Sequence, residues 1–285
     1  MTAPSLTKRD ILAGLQCHRL LWWQRHEPEA EELQPDRVLQ DLFDQGRQVG
    51  ELARTAFPDG VLIAPGSREE RAQRTAEAIA NGATVIFEGA FLADGLFVAC
   101  DVLVRDGDTW HLIEVKSSTS QKDEHVTDVA VQAHVLGRNG IALQRMEVMH
   151  LSKEFRHPDT GALFARTDTT REATELRERI PEASQRHLQV LEGTLPEVPI
   201  GLHCAEPREC PFHDRCWPDD DWHIANLYNV GPKRAATFMS AGVHSIRDLS
   251  EKDKKNFTVR RQVRAMEEGR RLVEPTLGAA LAVLD

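Results

Sequence analysis

Residues 83–116 constrain the fold more than any other part of this sequence. They are rich in Val, Ile, Phe and Leu, with two short breaks built from Gly and Asp. This pattern predicts three neighbouring strands at about 84–92, 96–104 and 109–117, joined by tight turns. Helical patterns stand on both sides of the strands, so the sequence predicts an α/β fold.

The helical patterns fall into two groups, before and after the strands. Between the later ones, residues 196–218 are rich in Pro and Cys and have little periodicity, which predicts a loop. The predicted elements outside the three strands are helices at 7–24, 36–57, 67–81, 123–138 and 169–192, a strand at 144–151 and a helical segment at 222–272.

Three charged residues lie among apolar neighbours in the predicted strands. Asp101 follows Cys100, and Glu114 and Lys116 lie two residues apart, so they share one face of a strand. A hairpin would bring Asp101 beside Glu114, where two carboxylates suit Mg²⁺ or Mn²⁺. Lys116 would then position a water or stabilise charge on a phosphate. The alternative is the polar face of an amphipathic hairpin, but the apolar flanks make unused charges costly there.

Three cysteines define a second candidate site. Cys204, Cys210 and Cys216 follow one another at C-x5-C-x5-C spacing, and thiolates favour zinc or iron–sulfur clusters. His203 and His213 lie nearby and could complete a tetrahedral zinc site. The spacing alone favours neither alternative.

The C-terminal part of the chain has a charge opposite to the rest. Residues 231–271 carry eleven Lys or Arg and five Asp or Glu, a net +6 in a chain whose total is −10. At the start of this basic segment, residues 227–235 resemble the hairpin of a helix-hairpin-helix motif, which directs backbone N–H groups at phosphate. The alternative is a helical cap with solvated charges. The residues expected to contact DNA are Asn229, Gly231, Lys233 and Arg234.

The strand residues resemble the PD-(D/E)xK core of RecB-like nucleases. Asp101 is followed by Glu114-Val-Lys116 and then by a helix that contains Gln132. The resemblance implies that Asp101 and Glu114 bind metal, that Lys116 is catalytic and that Gln132 belongs to the site. Phosphodiester hydrolysis in DNA is the activity that it implies.

Two positions depart from that pattern. Many relatives have a Tyr four residues after the Gln, where this chain has Leu136. Many also have a metal-binding His on an N-terminal helix, where this chain has Gly50 followed by Glu51. Glu51 is therefore a candidate metal ligand, or equally a solvated helix residue.

The cysteines extend the resemblance to the iron–sulfur members of the RecB-like class, such as AddB and the CRISPR-associated adaptation nucleases. One cysteine precedes their nuclease core and three follow it, holding a four-iron, four-sulfur (4Fe–4S) cluster. The resemblance implies such a clasp here, whereas Cys100 is expected to be a small buried hydrophobe. The implied ligands are Cys17, Cys204, Cys210 and Cys216.

Together these observations predict a restriction-endonuclease-like α/β domain over residues 1–218 and a small all-α helix-hairpin-helix module over 219–285. The expected activity is cleavage of single-stranded or end-bearing DNA without sequence preference, in the cytoplasm and away from membranes. The resemblance also allows a nuclease or helicase partner. The alternatives are a non-catalytic iron–sulfur DNA-binding scaffold and a zinc-stabilised protein-interaction module.

Overall fold

The computed structural model describes residues 5–156, 158, 161–273 and 276–277. The chain forms two compact units, Met1–Glu197 and Val198–Asp285. Residues 198–218 group with the second unit, whereas the sequence analysis placed them in the first. The reason is that Ile200 and Trp217 pack against the apolar core of the second unit. Residues 274–275 and 278–285 of the predicted C-terminal module lie outside the described residues.

The first unit is a mixed α/β fold around a central sheet. The three strands expected between residues 83 and 116 are present and are followed by a helix at the expected place. The helices and strands of the first unit are β1 (Leu6–Thr7), α1 (Lys8–Gln16), α2 (His18–His26), α3 (Arg37–Arg54), β2 (Val61–Leu62), α4 (Arg68–Ala80), β3 (Val85–Ala93), β4 (Leu96–Asp106), β5 (Thr109–Lys116), α5 (Asp123–Arg138), β6 (Leu143–Leu151), β7 (Phe164–Asp168), α6 (Thr170–Arg177) and α7 (Ile180–Glu192).

In the part of the chain that the structure describes, the sheet has seven strands, six of them in the order β2-β3-β4-β5-β6-β7. Strand β4 is antiparallel to both β3 and β5, and β5 is parallel to β6. Two strands pair with the edge of β4 that faces β5. Its later residues pair with β5, and its first residues, Leu96 and Phe97, pair with the short strand β1. This arrangement brings the end of β5 and the start of α1 to the same edge of β4.

Helix α5 lies in the main apolar core. Its Val129, Val131 and Leu136 are fully buried in one cluster with strand residues such as Ile86 and Leu112. A helix that is apolar on most of its surface must be covered on most sides. Polar side chains on α5 are therefore held in place by the packing of the whole unit.

Two helices predicted as continuous are each divided. The predicted helix 7–24 breaks at Cys17, whose extended backbone (φ −161°, ψ 129°) separates α1 from α2. The predicted helix 169–192 ends at Arg177 and restarts as α7, with Pro181 in the first turn of the new helix. Proline lacks the N–H that a continuous helix would need, which accounts for the second break.

The second unit is helical. The segment predicted as a loop contains the 3₁₀ turn Leu202–Cys204 and the one-turn helix α8 (His213–Cys216). Helices α9 (Gly231–Ser240) and α10 (Phe257–Glu268) follow. They bury Ile224, Ile246 and Val259 in a core of their own. Among the residues that the structure describes, no helix is long and apolar enough to cross a membrane.

Candidate active site

The hairpin of β4 and β5 places Asp101 against Glu114. The antiparallel pairing runs from Asp106–Thr109 to Val102–Ile113, so the next residues along each strand are Asp101 and Glu114. At this point the Asp101 carboxylate accepts the backbone N–H of Val115 at 2.7 Å. A carboxylate therefore takes a hydrogen bond from the strand backbone, and this bond fixes Asp101 at the edge of β5.

Lys116 contacts two carboxylates. Its Nζ lies 2.8 Å from Glu114 Oε1 and 2.5 Å from Asp128 Oδ2. The first contact agrees with alternation along β5, which puts Glu114 and Lys116 on one face. The second comes from the first turns of α5 and holds the ammonium from the opposite side. Lys116 is thus tied to both the strand and the helix.

Gln132 completes this group from α5, where its side chain is fully buried. Its Nε2 donates to Glu114 Oε2 at 2.6 Å and to the carbonyl of Asp128 at 3.2 Å. Its Oε1 is buried and has no hydrogen-bond partner among the described residues. A buried amide oxygen without a partner is costly, so Gln132 presents an acceptor in need of a donor or a cation.

Lys8, the first residue of α1, also reaches Glu114. Its Nζ lies 2.9 Å from Oε1 and 3.1 Å from Oε2 of the same carboxylate. The contact follows from the topology, because β1 pairs with β4 just beyond the end of the β4–β5 ladder. The chain then turns into α1 directly beside Glu114.

The charges of this cluster perturb one another strongly. Burial and the neighbouring Glu114 raise the pKa of Asp101 to about 7. Burial alone would raise the pKa of Glu114, but the ammonium groups of Lys8 and Lys116 hold it well below its usual range. Burial opposes the charge on both lysines, yet the Glu114 and Asp128 carboxylates raise the pKa of each above its usual value. Strongly perturbed, mutually coupled groups of this kind are typical of functional sites.

Glu51 does not join the cluster. It is exposed on α3, whose Val49 and Ala53 are the buried positions. Residue 51 lies about 200° around the helix from residue 49, so the packing of α3 turns Glu51 away from the sheet. The structure therefore gives no contact that would make Glu51 a metal ligand.

Oxygen donors suitable for a hard divalent cation are present in the cluster. The donors are the carboxylates of Asp101 and Glu114 and the unpartnered Oε1 of Gln132. Magnesium is commonly held by one or two carboxylates together with water and substrate phosphate, so this donor set fits. Within the described residues, no three His, Cys, Asp or Glu side chains are grouped as a metal site. Asp101 and Glu114 thus supply two carboxylate ligands where a fully protein-made cage would need more.

The cysteines divide between the two units. Cys17 lies half-buried at the break between α1 and α2 in the first unit. In the second unit, Cys204 and Cys210 are buried, and the N–H of Cys210 donates to the carbonyl of Cys204 at 2.9 Å. Cys100 is fully buried in β4, and burial raises the pKa of its thiol well above its usual value. Cys100 is thus a buried apolar residue, as the sequence indicated.

The predicted DNA-binding hairpin begins α9. Asn229 and Gly231 both adopt left-handed backbone conformations, with φ of 56° and 60°, which asparagine and glycine tolerate best. Lys233 is exposed and pairs with Glu206 at 2.7 Å, and the exposed Arg234 lies over the ring of Phe238. The helix before this hairpin is the single 3₁₀ turn Ile224–Asn226, which is shorter than a helix-hairpin-helix pattern predicts.

Two residues of the cluster were assigned no role in the sequence analysis. Asp128 is four residues before Gln132, so both occupy one face of α5, and this spacing could have identified it. Lys8 lies 106 residues before Glu114 in the chain. No local pattern connects positions so far apart, so only the strand pairing of β1 shows that they meet.

No protein-family model matches this chain, and no curated protein matches it. Among solved structures, the chain is similar to an alkaline exonuclease (LHK-Exo) from Laribacter hongkongensis, with 15% identity and a TM-score of 0.39 over 66% of this chain and 89% of that one. A complex of LHK-Exo with dAMP gives 15% identity and a TM-score of 0.39 over 67% and 91%. The protein SSO0001 gives 12% identity and a TM-score of 0.33 over 76% of this chain and 87% of that one. We base the function on the side chains of this chain itself.

Proposed function

We propose that this protein is a divalent-cation-dependent nuclease that hydrolyses phosphodiester bonds in DNA. The observation that carries the proposal is the pair of neighbouring carboxylates, half-buried Asp101 and buried Glu114, flanked by Lys116 at 2.8 Å from Glu114. Holding two carboxylates side by side is costly when one of them is buried and the other half-buried. Such a pair is retained where it holds a cation or moves a proton.

The proposed roles follow from these contacts. Asp101, Glu114 and the Oε1 of Gln132 would hold Mg²⁺ or Mn²⁺. When bound, such an ion supplies Lewis-acid polarisation of a phosphoryl oxygen and lowers the pKa of a coordinated water. Lys116, held between Glu114 and Asp128, is oriented to stabilise negative charge that develops on the phosphate. Gln132 orients Glu114 through its hydrogen bond at 2.6 Å.

DNA is the proposed substrate because the second unit offers positive charge to phosphate. Residues 231–271 carry a net +6, and Lys233 and Arg234 are exposed at the start of α9. Contacts of this kind are independent of base sequence and weaken as salt is added. Single-stranded DNA or DNA ends are the proposed form, on the strength of the resemblance to RecB-like nucleases.

The test is cleavage of end-labelled single-stranded DNA with Mn²⁺ by the parent protein, Glu114→Gln and Lys116→Met. Glu147→Gln is a matched control, because Glu147 is also buried and paired, with Arg145 at 3.0 Å, but does not contact the cluster. We expect cleavage by the parent and by Glu147→Gln and none by the two site variants. Equal cleavage by all four proteins would refute the assignment of the site.

A second candidate function is a non-catalytic DNA-binding scaffold that keeps this fold. The observation that favours it is Lys8, whose ammonium is within 3.1 Å of both Glu114 oxygens and thus provides a positive charge without a metal. DNA binding without cleavage, together with no Mn²⁺ binding at millimolar concentration, would support the scaffold over the nuclease.

We further propose a 4Fe–4S cluster, for which Cys204, Cys210 and Cys216 of the second unit supply three of the thiolates that the resemblance names. Support comes from the thiols of the second unit, where Cys204 and Cys210 are buried and Cys204 Sγ accepts the N–H of Gly201 at 3.4 Å. Thiolate donors suit iron–sulfur clusters and zinc alike. Anaerobic purification followed by iron, sulfide and zinc analysis separates the two. A brown protein with about four irons per chain is expected, and a colourless protein with one zinc would refute the cluster.

A further inference from the structure

The Lys8 ammonium contacts both oxygens of Glu114, but the proposed catalytic roles do not include Lys8. We propose that the Lys8 ammonium is a built-in counter-ion that occupies the carboxylate site in the metal-free protein and leaves Glu114 when a divalent cation binds. This inference rests on the proposed nuclease function. It adds that metal loading is an exchange between Lys8 and the cation.

The first argument is the saturation of Glu114. Its Oε1 lies 2.9 Å from Lys8 Nζ and 2.8 Å from Lys116 Nζ. Its Oε2 lies 3.1 Å from Lys8 Nζ and 2.6 Å from Gln132 Nε2. An ionised carboxylate has about four lone-pair sites, so these contacts use them all. A cation about 2.0–2.1 Å from a Glu114 oxygen therefore requires that one donor withdraws.

The second argument identifies which donor withdraws. Gln132 is fully buried in the core helix α5, and Lys116 is held a second time by Asp128 at 2.5 Å. The side chains of Lys8 and Lys116 are equally exposed, at 23% and 24%, but Glu114 is the one carboxylate that holds Lys8 by a hydrogen bond among the described residues. Lys8 is also the first residue of its helix, next to a two-residue strand. Of the three donors, Lys8 therefore gives up the fewest other contacts when it leaves Glu114.

The third argument is the charge of the cluster. Three carboxylates, Asp101, Glu114 and Asp128, face the two ammonium groups of Lys8 and Lys116, which leaves one negative charge when all are ionised. Exchange of Lys8 for a divalent cation gives a neutral cluster. Addition of the cation with Lys8 still in place gives one excess positive charge, and uncompensated buried charge is costly. Exchange is therefore favoured over simple addition.

The test measures Mn²⁺ affinity directly, by the loss of the free-Mn²⁺ electron paramagnetic resonance signal in the full-length protein. The variants are Lys8→Met, which keeps the length of the side chain but removes its charge, and the exposed control Lys153→Met. Glu114→Gln reports whether the metal occupies this site at all. We expect Lys8→Met to bind Mn²⁺ at least about tenfold more tightly than the parent, because no ammonium has to be displaced. Lys153→Met should match the parent.

A second measurement uses the parent protein alone and does not depend on the folding of a variant. Brief acetylation followed by mass spectrometry reports the reactivity of each lysine with and without Mn²⁺. We expect acetylation of Lys8 to increase when Mn²⁺ is bound, while Lys153 does not change. Unchanged Lys8 reactivity at saturating Mn²⁺ would overturn the exchange.

The outcomes separate this inference from the proposed function. Equal Mn²⁺ affinity for the parent and Lys8→Met, lost in Glu114→Gln, would leave the metal site standing and refute the exchange. Weaker binding by Lys8→Met would also refute it and would make Lys8 a structural support of the site. Binding that persists unchanged in Glu114→Gln, or is absent from every protein, would overturn both the exchange and the proposed metal site.

Discussion

The Asp128→Asn substitution isolates the positioning of Lys116. The Asp128 carboxylate accepts a hydrogen bond from Lys116 Nζ at 2.5 Å, and Lys116 also contacts Glu114 at 2.8 Å. Asparagine keeps the size of the side chain and one oxygen acceptor but removes the negative charge. The ammonium then has one charged partner instead of two, so we expect it to leave its position more often.

The magnitude follows from the type of contact that is lost. A hydrogen bond to a charged group contributes about 1.5–3 kcal/mol. Both side chains are mostly buried, with 24% of Lys116 and 9% of Asp128 exposed, so screening by water is limited. If the lost energy appears in the transition state, cleavage falls by about 10- to 150-fold. Because asparagine still accepts a hydrogen bond, we expect the lower half of that range.

The assay is single-turnover cleavage of end-labelled DNA at saturating Mn²⁺, with thermal unfolding measured in parallel. Asp123→Asn is the matched control, since Asp123 is exposed in the first turn of the same helix α5. We expect Asp123→Asn to cleave at the parent rate. Parental cleavage by Asp128→Asn would refute the idea that Lys116 is held in place by Asp128.

Three further predictions concern the stability of the fold and the role of Glu51. A Cβ at Gly14 would lie 2.5–2.6 Å from atoms of the His187 ring, so Gly14→Ala should destabilise the protein by about 1–3 kcal/mol in urea unfolding; an increase in stability would contradict this packing. Burial, with the nearby His18 and Arg186, lowers the pKa of His187 to about 4 from its usual 6.5. Between about pH 4 and 6.5, the folded state therefore binds fewer protons than the unfolded state. The free energy of unfolding falls as the pH is lowered through this range, by up to about 3 kcal/mol. His187→Gln should lose less stability than the parent over this range, and an identical pH profile would refute the effect. Because Glu51 is exposed and turned away from the cluster, Glu51→Gln should leave Mn²⁺ affinity and cleavage unchanged, and a loss of either would restore it as a ligand.

Much of the cluster could be predicted because it is local in sequence. Alternation along one strand places Glu114 and Lys116 on the same face, and a tight turn brings Asp101 to the neighbouring strand. These relations span a single hairpin, and the strands lie within about two residues of their predicted bounds. The predictions for Asp101 and Glu114 therefore needed no knowledge of the rest of the fold.

The parts that sequence patterns missed depend on contacts between distant segments. Lys8 meets Glu114 only because β1 pairs with β4, a pairing of two residues that no periodicity shows. The break at Cys17 is similar, since neither proline nor glycine occupies that position and the residue is nonetheless extended. The break before α7 differs, because Pro181 was a visible signal. The amphipathic pattern continues on both sides of Pro181 and therefore predicted one helix, although proline disfavours a helix interior.

The last prediction uses the glycine that stands where many RecB-like relatives have a histidine. A Cβ built at Gly50 has no atom within 4 Å, so α3 can accept a side chain there without a clash. Residue 50 lies about 100° around the helix from the buried Val49 and about 60° from the buried Ala53. It is therefore beside the face that packs on the sheet, unlike Glu51. Gly50→His would introduce the side chain that many RecB-like relatives have here, on a helix whose Ala53 packs with Ile113 of β5.

We expect Gly50→His to bind Mn²⁺ more tightly than Gly50→Ala, by about tenfold for one added ligand. Alanine is the necessary control, because removal of a helical glycine alone stabilises the fold by about 0.5–1 kcal/mol. Both variants should therefore unfold at higher urea concentration than the parent, but only the histidine should change metal affinity. If Lys8 is the competing cation, combining Gly50→His with Lys8→Met should tighten binding beyond either change alone. Equal affinity for the histidine and alanine variants would show that α3 does not approach the carboxylates, and that any metal is held by β4, β5 and α5 alone.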